Sequence, residues 1–436
     1  MRLTVLGAAL CATACANLGA PPGGPPDLAP PLIVSISPDS GAIVPGLKGD
    51  LVIRFDEVIE EAPGGGGGFG TGRAGGGGSL ASRVLLSPVA GRVNVSWHRS
   101  AIHVKPREGW RSNRVYRLEL LPGIGDLRQN RTEEGVTLIF STGPPLPTGS
   151  LTGTAVLWAE QRALADGLIL AAPVPDTVGY LALVDSGGRF RLDGIPPGEY
   201  IVYAMQDGNG NRRRDRREAY DSALITVAPA ATATLWAFVH DTVGPRLRQV
   251  EAVDSLHVRL TFTQPLGVGR PLDVAQVEVL TLPDSTRQPI RAVITAGAFD
   301  SLAASARAAA DSTRQAAADS AARAAADTAR RPPTPPPARP AAPSVAQPRG
   351  AAPDSALRQL LAGRPAPSDR RVVVLERPLA AGARYFVRVR GAVNLNGAAG
   401  DGQAVFETPK PPPPAVADST ARPDSAGAPR RPPPRP

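Results

Sequence analysis

The residues best placed to do chemistry are the oxygen-bearing side chains of the stretch DGNGNRRRDRRE, residues 207–218. They occupy its first, third, fifth, ninth and twelfth places: Asp207, Asn209, Asn211, Asp215 and Glu218. A loop that wraps a calcium ion uses this spacing, with a backbone carbonyl at the seventh place. Five arginines in the loop oppose a cation, and Arg212 stands at the sixth place, where a tight turn favours glycine. Calcium binding is therefore one prediction, and a hairpin turn capped by its own Asx side chains is the alternative.

The second reactive group is the thiol of Cys15, which follows an apolar N-terminus. Residues 1–14 have the pattern of an export signal: Arg2, a short apolar run and then small residues. Ala12-Thr13-Ala14 fits ordinary signal cleavage, whereas the same residues followed by Cys15 resemble a bacterial lipobox. An unpaired cysteine ahead of a Pro/Gly-rich tether over 15–30 favours lipidation of Cys15.

Lipidation predicts a membrane-anchored protein, because each buried methylene of an acyl chain contributes about 0.8 kcal/mol. The lipobox departs from its commonest form by having Ala12 in place of leucine. Ala16, rather than aspartate, follows the cysteine, and by resemblance to other lipoproteins this points to the outer membrane.

Residues for catalysis are almost absent from the sequence. The four histidines (His98, His103, His240 and His257) include no pair at metal-ligand spacing, and no zinc-protease or serine-hydrolase motif is present. The acidic pairs Asp56-Glu57 and Glu60-Glu61 are interpreted as solvated charges near the end of a strand. The sequence therefore predicts a protein that is not an enzyme.

The charge pattern does not indicate nucleic-acid binding. The net charge is +9, but the basic residues are spread along the chain and only 4% of residues are aromatic. A nucleic-acid site gathers basic side chains on one element, often beside aromatic rings that stack on bases. We expect no nucleic-acid partner.

The elements that must position these residues are β-strands. Residues 31–143 alternate short apolar runs with turn residues, which is typical of a β-sandwich or a β-barrel. The runs are LIVSISP, DLVIRFDEVI, RVLLSPV, RVNVSW, AIHVKP, RVYRLELL and VTLIFST. The glycine run over 63–79 lacks the ending of a phosphate-binding loop, so it is interpreted as a connection between strands.

A second β-rich unit is predicted over 149–240. Phe190 and Leu192 share one face of a strand, and Tyr200, Val202 and Ala204 share one face of the next. Pro196-Pro197-Gly198 lies between them, so the two strands are predicted to form a β-hairpin that leads into the 207–218 loop.

A third unit repeats the first. LVIRFDEVI (51–59) matches HVRLTFTQPL (257–266), and the run of strands over 101–142 matches 372–408. We therefore predict a second copy of the first unit's fold, built from two pieces, 243–299 and 371–408. The Ala/Pro-rich residues 300–370 between them are predicted to be a disordered insertion, and 409–436 a disordered, basic tail.

These pieces resemble bacterial lipoproteins that carry Ig-like domains. CANLGAPPGGPPDLAPPLIVSISPDSGA (15–42) is similar to their opening, and LVIRFDEVI and VTLIFSTG are similar to strands of the surface-layer (SbsA-type) Ig-like module. GRFRLDGIPPGEYIVYAMQDGNGN resembles the prealbumin-like, or carboxypeptidase regulatory-like, accessory module. The resemblance implies an all-β chain of tandem sandwiches in the cell envelope and carries over no catalytic residue.

The predicted function is scaffolding or binding by a lipid-anchored protein of the cell envelope, on the periplasmic or the surface side of the outer membrane. One alternative is an adhesin for glycan or peptidoglycan, with Trp97, Trp110 and Trp158 on an exposed face. Another is an accessory subunit of an envelope hydrolase, which requires a catalytic partner chain. The predicted partners are the membrane and an envelope protein or glycan.

Overall fold

The computed structural model describes residues 27–60, 80–328 and 355–410, which divide into two compact units. Unit 1 holds the described residues through Val156 together with Ala163–Ala237. Unit 2 holds Leu157–Arg162 together with the described residues from Phe238 onward. The predicted signal peptide, Cys15, most of the tether, the glycine run and the tail beyond Lys410 lie outside the described residues. In the described part of the chain, no helix is both long and apolar enough to cross a membrane.

The first sandwich packs two antiparallel sheets around one core. One sheet has the order β1 (Ile33–Ser37), β2 (Leu51–Phe55), β5 (Ala101–Pro106) and β4 (Val93–His98), and the other has β3 (Val84–Ser87), β6 (Val115–Leu120) and β7 (Val136–Ser141). Side chains alternate between the two faces of a strand, so Leu51, Ile53 and Phe55 all point inward from β2. The alternation expected from the sequence is therefore the one that forms this core.

Strand β3 is buried on both faces. Val84 and Leu86 belong to the core of the first sandwich, whereas Leu85 packs with Leu168 and Met205 of the second. A strand buried on both faces reads as a continuous apolar run, as Val84, Leu85 and Leu86 do here. The second sandwich therefore lies against β3, within unit 1.

The second sandwich is a continuous path of hydrogen-bonded strands. Its order is β11 (Tyr180–Leu183), β10 (Leu168–Pro173), β13 (Gly198–Met205), β14 (Ala219–Val227), β15 (Ala230–Val239), β8 (Gly149–Leu157) and β12 (Arg189–Ile195), and β9 (Arg162–Ala163) pairs with β8. The predicted hairpin does not form, because β12 pairs with β8 while β13 pairs with β10 and β14. The strands and their buried faces are as expected. The turn between them connects β12, at one end of the strand order, to β13, which lies near the other end.

The third sandwich also packs two four-stranded sheets. Their orders are β16 (Leu247–Ala252), β17 (His257–Leu266), β21 (Ser368–Leu375) and β20 (Ile290–Thr295), and β19 (Thr286–Arg287), β18 (Val277–Leu282), β22 (Arg384–Val393) and β23 (Ala399–Glu407). Strand β21 lies between β17 and β20, and β22 lies beside β18. Strands from before and after the predicted insertion therefore share both sheets. With three β-sandwiches in tandem, the predicted all-β fold class is confirmed.

The insertion differs from the disordered segment that we predicted over 300–370. Helix α1 spans Ala296–Thr328 and helix α2 spans Ser355–Ala362. Alanine has the highest helix propensity of all residues, and this propensity outweighs the lack of large apolar side chains on α1. Phe299, in the first turn of α1, packs against His257 at a ring distance of 4.8 Å. Beyond that turn, α1 is exposed along nearly all of its described length.

The first and third sandwiches repeat each other down to single hydrogen bonds. Tyr116 stacks on Phe140, and Tyr385 stacks on Phe406, with ring centroids 5.5 Å apart in both pairs. The Tyr116 hydroxyl accepts a backbone N–H at 2.8 Å from five residues earlier in the chain, and the Tyr385 hydroxyl does the same at 2.8 Å. The repeat inferred from strand order thus extends to side-chain contacts.

Candidate functional site

The 207–218 loop connects β13 to β14, and its oxygen atoms are engaged by its own backbone. The Asp207 carboxylate accepts the N–H groups of Asn211 and Arg212, at 3.0 and 2.9 Å. The Asn209 side-chain oxygen accepts the N–H of Asn211 at 2.9 Å, and the Asn211 oxygen accepts the N–H of Arg213 at 2.7 Å. These are the contacts of an Asx-rich turn.

The remaining two oxygen residues close the same loop. Asp215 accepts the amide groups of Asn209 and Asn211 on one oxygen, at 2.7 and 2.9 Å. Glu218 accepts the N–H of Gly208 at 3.0 Å on one oxygen, while its other oxygen is buried without a hydrogen bond among the described residues. All five predicted residues therefore meet in one loop, in the arrangement of the self-capped turn.

Calcium binding at this loop stays a prediction, because an ion would have to replace several of these hydrogen bonds. If it binds, millimolar calcium should raise the melting temperature, since a ligand that binds only the folded state stabilises it. The substitution Asp207→Ala should then abolish the rise. A melting temperature that calcium does not change would favour the self-capped turn.

The loop also holds Arg212 as a clamp between the first two sandwiches. Its guanidinium donates to the carbonyls of Val84, Ala81 and Ser82, at 2.8, 3.3 and 3.2 Å. The backbone of Arg212 is left-handed, with φ of 59°, so the sixth place of the loop adopts the conformation that favours glycine. Burial lowers the pKa of Arg212, and Asp207 opposes that effect. Arg212, whose charge opposes cation binding in this loop, is thus a residue that joins two domains.

Two arginines of the first sandwich, in turn, bind to the second sandwich. Arg117, which is buried, donates to the carbonyl of Leu181 at 3.0 Å, and the N–H of Leu181 donates to the Ser87 hydroxyl at 3.1 Å. Arg114 forms an ion pair with Asp176 at 2.8 Å. That hydrogen bond from Arg114 lowers the pKa of Asp176, and the N–H of Val178 lowers it further. Together with Leu85, these contacts make unit 1 a fixed pair of sandwiches.

A group of three carboxylates lies elsewhere on the first sandwich. Asp27, Glu57 and Asp126 have ligand atoms that all lie within 4.8 Å of one another, and in the described residues this is the one such group of acidic, histidine or cysteine side chains. Partial burial raises the pKa of Glu57, and the charges of Asp126 and Asp27 raise it further. The sequence interpretation of Glu57 as a solvated charge was incomplete, since it lies against two other carboxylates. Such a group could hold a hard cation.

The third sandwich has amides where the first has two of these acids. Asp126 is buried and accepts backbone N–H groups two and four residues later, both at 2.8 Å. Asn394 occupies the same loop position, is also buried and accepts the N–H groups two and four residues later, at 3.0 and 2.9 Å. Gln264 stands two residues after Phe262, as Glu57 stands two residues after Phe55.

The amides form a hydrogen bond that the acids cannot form. The Asn394 amide donates to the Gln264 side-chain oxygen at 3.2 Å and to the Asp241 carbonyl at 2.8 Å. In the first sandwich, Glu57 and Asp126 offer only acceptors when both are ionised. The two copies therefore share a backbone frame and differ in the charge that it carries.

The first sandwich is the part of the chain with a recognised family. Residues 27–142 match the family model of the bacterial Ig-like domain. This Ig-like domain includes β1 to β7 and the three-carboxylate group. None of the curated proteins compared with the chain matches it.

Solved structures similar to the chain include three from bacteria. The N-terminal part of the bacterial S-layer protein SbsC is 14% identical, with a TM-score of 0.21, and the match covers 39% of this chain and 25% of that one. BcpA, the major pilin subunit of Bacillus cereus, is 11% identical, with a TM-score of 0.18 and coverage of 48% and 71%. The alpha-2-macroglobulin of Escherichia coli is 11% identical, with a TM-score of 0.18 and coverage of 59% and 86%. The chain thus spans about a quarter of the S-layer chain.

Of the three tryptophans proposed for an adhesin, Trp158 is buried, whereas Trp97 and Trp110 are partly buried against the core of the Ig-like domain. Trp110 of the Ig-like domain lies edge-on to Tyr116 at 5.0 Å and donates its N–H to the Gly49 carbonyl at 2.7 Å. Trp97 packs against the same core. In unit 2, Trp158 is buried, the guanidinium of Arg364 lies 3.7 Å from its ring, and its N–H donates to the Pro365 carbonyl at 3.1 Å.

Proposed function

We propose that the protein is a non-enzymatic scaffolding or binding protein of the cell envelope, anchored to the membrane through a lipid on Cys15. The observation that carries the proposal is the fixed junction between the first two sandwiches, in which Arg212, Arg117 and Leu85 join the domains. A junction of this kind holds two domains in one orientation, whereas domains in a chain move relative to each other by default. The family match of the first sandwich to a bacterial Ig-like domain supports the same class of role.

The envelope location rests on the sequence of the N-terminus. Mass spectrometry of protein extracted from membranes should find Cys15 as the first residue, carrying acyl chains. The Cys15→Ser variant should leave the membrane fraction, and the Cys11→Ser variant, which alters the other cysteine, should remain in it. Unmodified Cys15 in soluble wild-type protein would contradict the anchor.

The adhesin alternative keeps Trp97 and Trp110 as partly exposed rings, whereas Trp158 is buried. An accessory role beside a hydrolase is compatible with the same scaffold. Recovery of a hydrolase with the protein from native membranes would favour that role.

A further inference from the structure

A groove runs between the first two sandwiches, within unit 1, and has a volume of about 1000 Å³. Its floor is aliphatic: Leu85 of β3 packs there with leucines of β10 and β11, among them Leu170, Leu181 and Leu183. These three leucines are only partly buried, so the floor remains accessible from the groove. The volume is at the upper end of the roughly 300–1,000 Å³ of ligand sites. We call it the inter-sandwich groove.

The walls of the groove are fixed. On one side, the turn between β3 and β4 is held by Glu108, which accepts the N–H groups of Ala90 and Gly91 at 2.8 and 3.2 Å. On the other side, the 207–218 loop is held by Asp207 and by the Arg212 clamp. A site that exists before binding loses less conformational entropy when a ligand enters.

The net charge along the groove is positive. Four arginines and two aspartates line it. Arg212 and Asp207 are engaged with backbone groups, as described above. Arg92 and Arg213 are exposed, and among the described residues neither forms an ion pair. Arg214 lies over the rings of Tyr203 and Tyr220, at 5.4 and 5.0 Å, which leaves the edge of its guanidinium available to an anion.

We propose that the inter-sandwich groove binds an extended segment of another protein in which apolar and acidic side chains alternate. Successive side chains of an extended peptide point to opposite sides, so its apolar residues would contact the leucine floor while its acids face the arginines. Strand β11 (Tyr180–Leu183) lines the groove through the side chains of Leu181 and Leu183, while the backbone N–H and carbonyl of Leu181 are engaged by Ser87 and Arg117. The proposal goes beyond the scaffolding role and does not depend on the lipid.

The test measures peptide binding to the full chain by fluorescence anisotropy. The probe is a short labelled peptide of alternating glutamate and leucine, and the matched peptide has lysine in place of glutamate. We expect the glutamate peptide to bind, the lysine peptide not to bind, and the affinity to fall with added salt, which screens exposed charges. A glutamate–serine peptide should bind more weakly than the glutamate–leucine peptide, because it lacks apolar side chains for the floor.

Two double variants separate the groove from the loop. Arg92→Glu/Arg213→Glu reverses two charges in the groove and should weaken binding about tenfold or more, because the peptide's acids would lose two charged hydrogen-bond donors and face two like charges. Arg216→Glu/Arg217→Glu changes the same loop outside the groove lining and should bind nearly as wild type. All four arginines are exposed, so equal melting temperatures will show that both variants fold.

Five results would overturn the proposal. The first three are that the glutamate–leucine peptide fails to bind, that the lysine peptide binds as tightly as the glutamate–leucine peptide, and that both double variants lose binding equally. Self-association of the chain that Arg92→Glu/Arg213→Glu abolishes would assign the groove to a second copy instead. Inorganic pyrophosphate that competes fully, together with equal binding of the glutamate–serine peptide, would leave only an anion site without a peptide floor.

Discussion

At the scale of single residues, Arg212 combines a strained backbone with three hydrogen bonds across a domain boundary. Arg212→Ala should destabilise unit 1 by about 2 kcal/mol, because it leaves carbonyls without their charged donor. Arg212→Gly loses the same bonds but relieves a left-handed backbone that costs about 1 kcal/mol, so it should be the milder change. Urea denaturation measures both, with Arg217→Ala as an exposed control from the same loop. Equal losses in the alanine and glycine variants would contradict the strain at this position.

Glu57 provides a pH-dependent prediction. Its pKa is raised in the folded protein, first by partial burial and then by Asp126 and Asp27. Because this pKa is raised, the contribution of the Glu57 carboxyl to folding stability is fully present below its ordinary pKa, near 4.5. That contribution is lost as the pH rises through the folded-state pKa. Glu57→Gln should therefore raise the melting temperature at pH 7, by about 1–2 °C for a charge near the surface, and not at pH 4.

The control is Glu134→Gln, which neutralises an exposed glutamate of the same Ig-like domain. Melting curves at both pH values should show no gain for that variant. If millimolar calcium reduces the gain from Glu57→Gln, the cation neutralises the same carboxylates. A gain of equal size at pH 4 would show that charge repulsion is not the cause.

Sequence reasoning could find the 207–218 residues because they are contiguous, but it could not find the carboxylate group. Asp27, Glu57 and Asp126 come from three distant connections, and only the folded sandwich brings them together. One signal was available in the repeat: Glu57 aligns with Gln264 in the matched strands. The role of Arg212 was likewise hidden, since its carbonyl partners lie about 130 residues earlier in the chain.

At the scale of elements, the insertion between β20 and β21 should be largely dispensable. Replacing 301–353 with a short Gly/Ser linker keeps Phe299, α2 and the cover of Trp158. Stability should change by less than about 1 kcal/mol, because each doubling of a flexible loop costs only about 0.6 kcal/mol. A longer replacement, 301–366, also removes Arg364 and Pro365 from Trp158 and should lose about 1–2 kcal/mol more.

Urea denaturation of both variants makes the comparison. Unfolding of the third sandwich by the shorter replacement would mean that α1 is needed to hold β20 against β21.

The element scale is where sequence patterns predicted most of the fold. Strand alternation identified the strands, and the repeat identified the split sandwich. Neither could predict that β12 pairs with β8. The reason is that β8 and β13 each present an apolar face, so the sequence pattern does not distinguish them as partners of β12.

At the scale of the whole molecule, the junction in unit 1 should make the first two sandwiches unfold together. Leu85→Asp places a charge in the junction and should separate one calorimetric transition into two, because a charge is not stable when desolvated without a partner. Leu86→Asp, one residue later, faces the core of the Ig-like domain and should instead unfold that domain. Two transitions already present in the wild-type unit 1 would contradict a fixed junction.

The amide-for-acid difference between the two repeated sandwiches has a consequence for the order in which they fail. As the surroundings become acidic, the Ig-like domain loses a repulsion around Glu57, while the Gln264–Asn394 pair of its copy has no charge to lose. The relative resistance of the two copies to heat or to a pulling force would then shift with acidity, although their backbones match. A duplicated fold would in this way carry a weak point whose position along the chain depends on the medium around it.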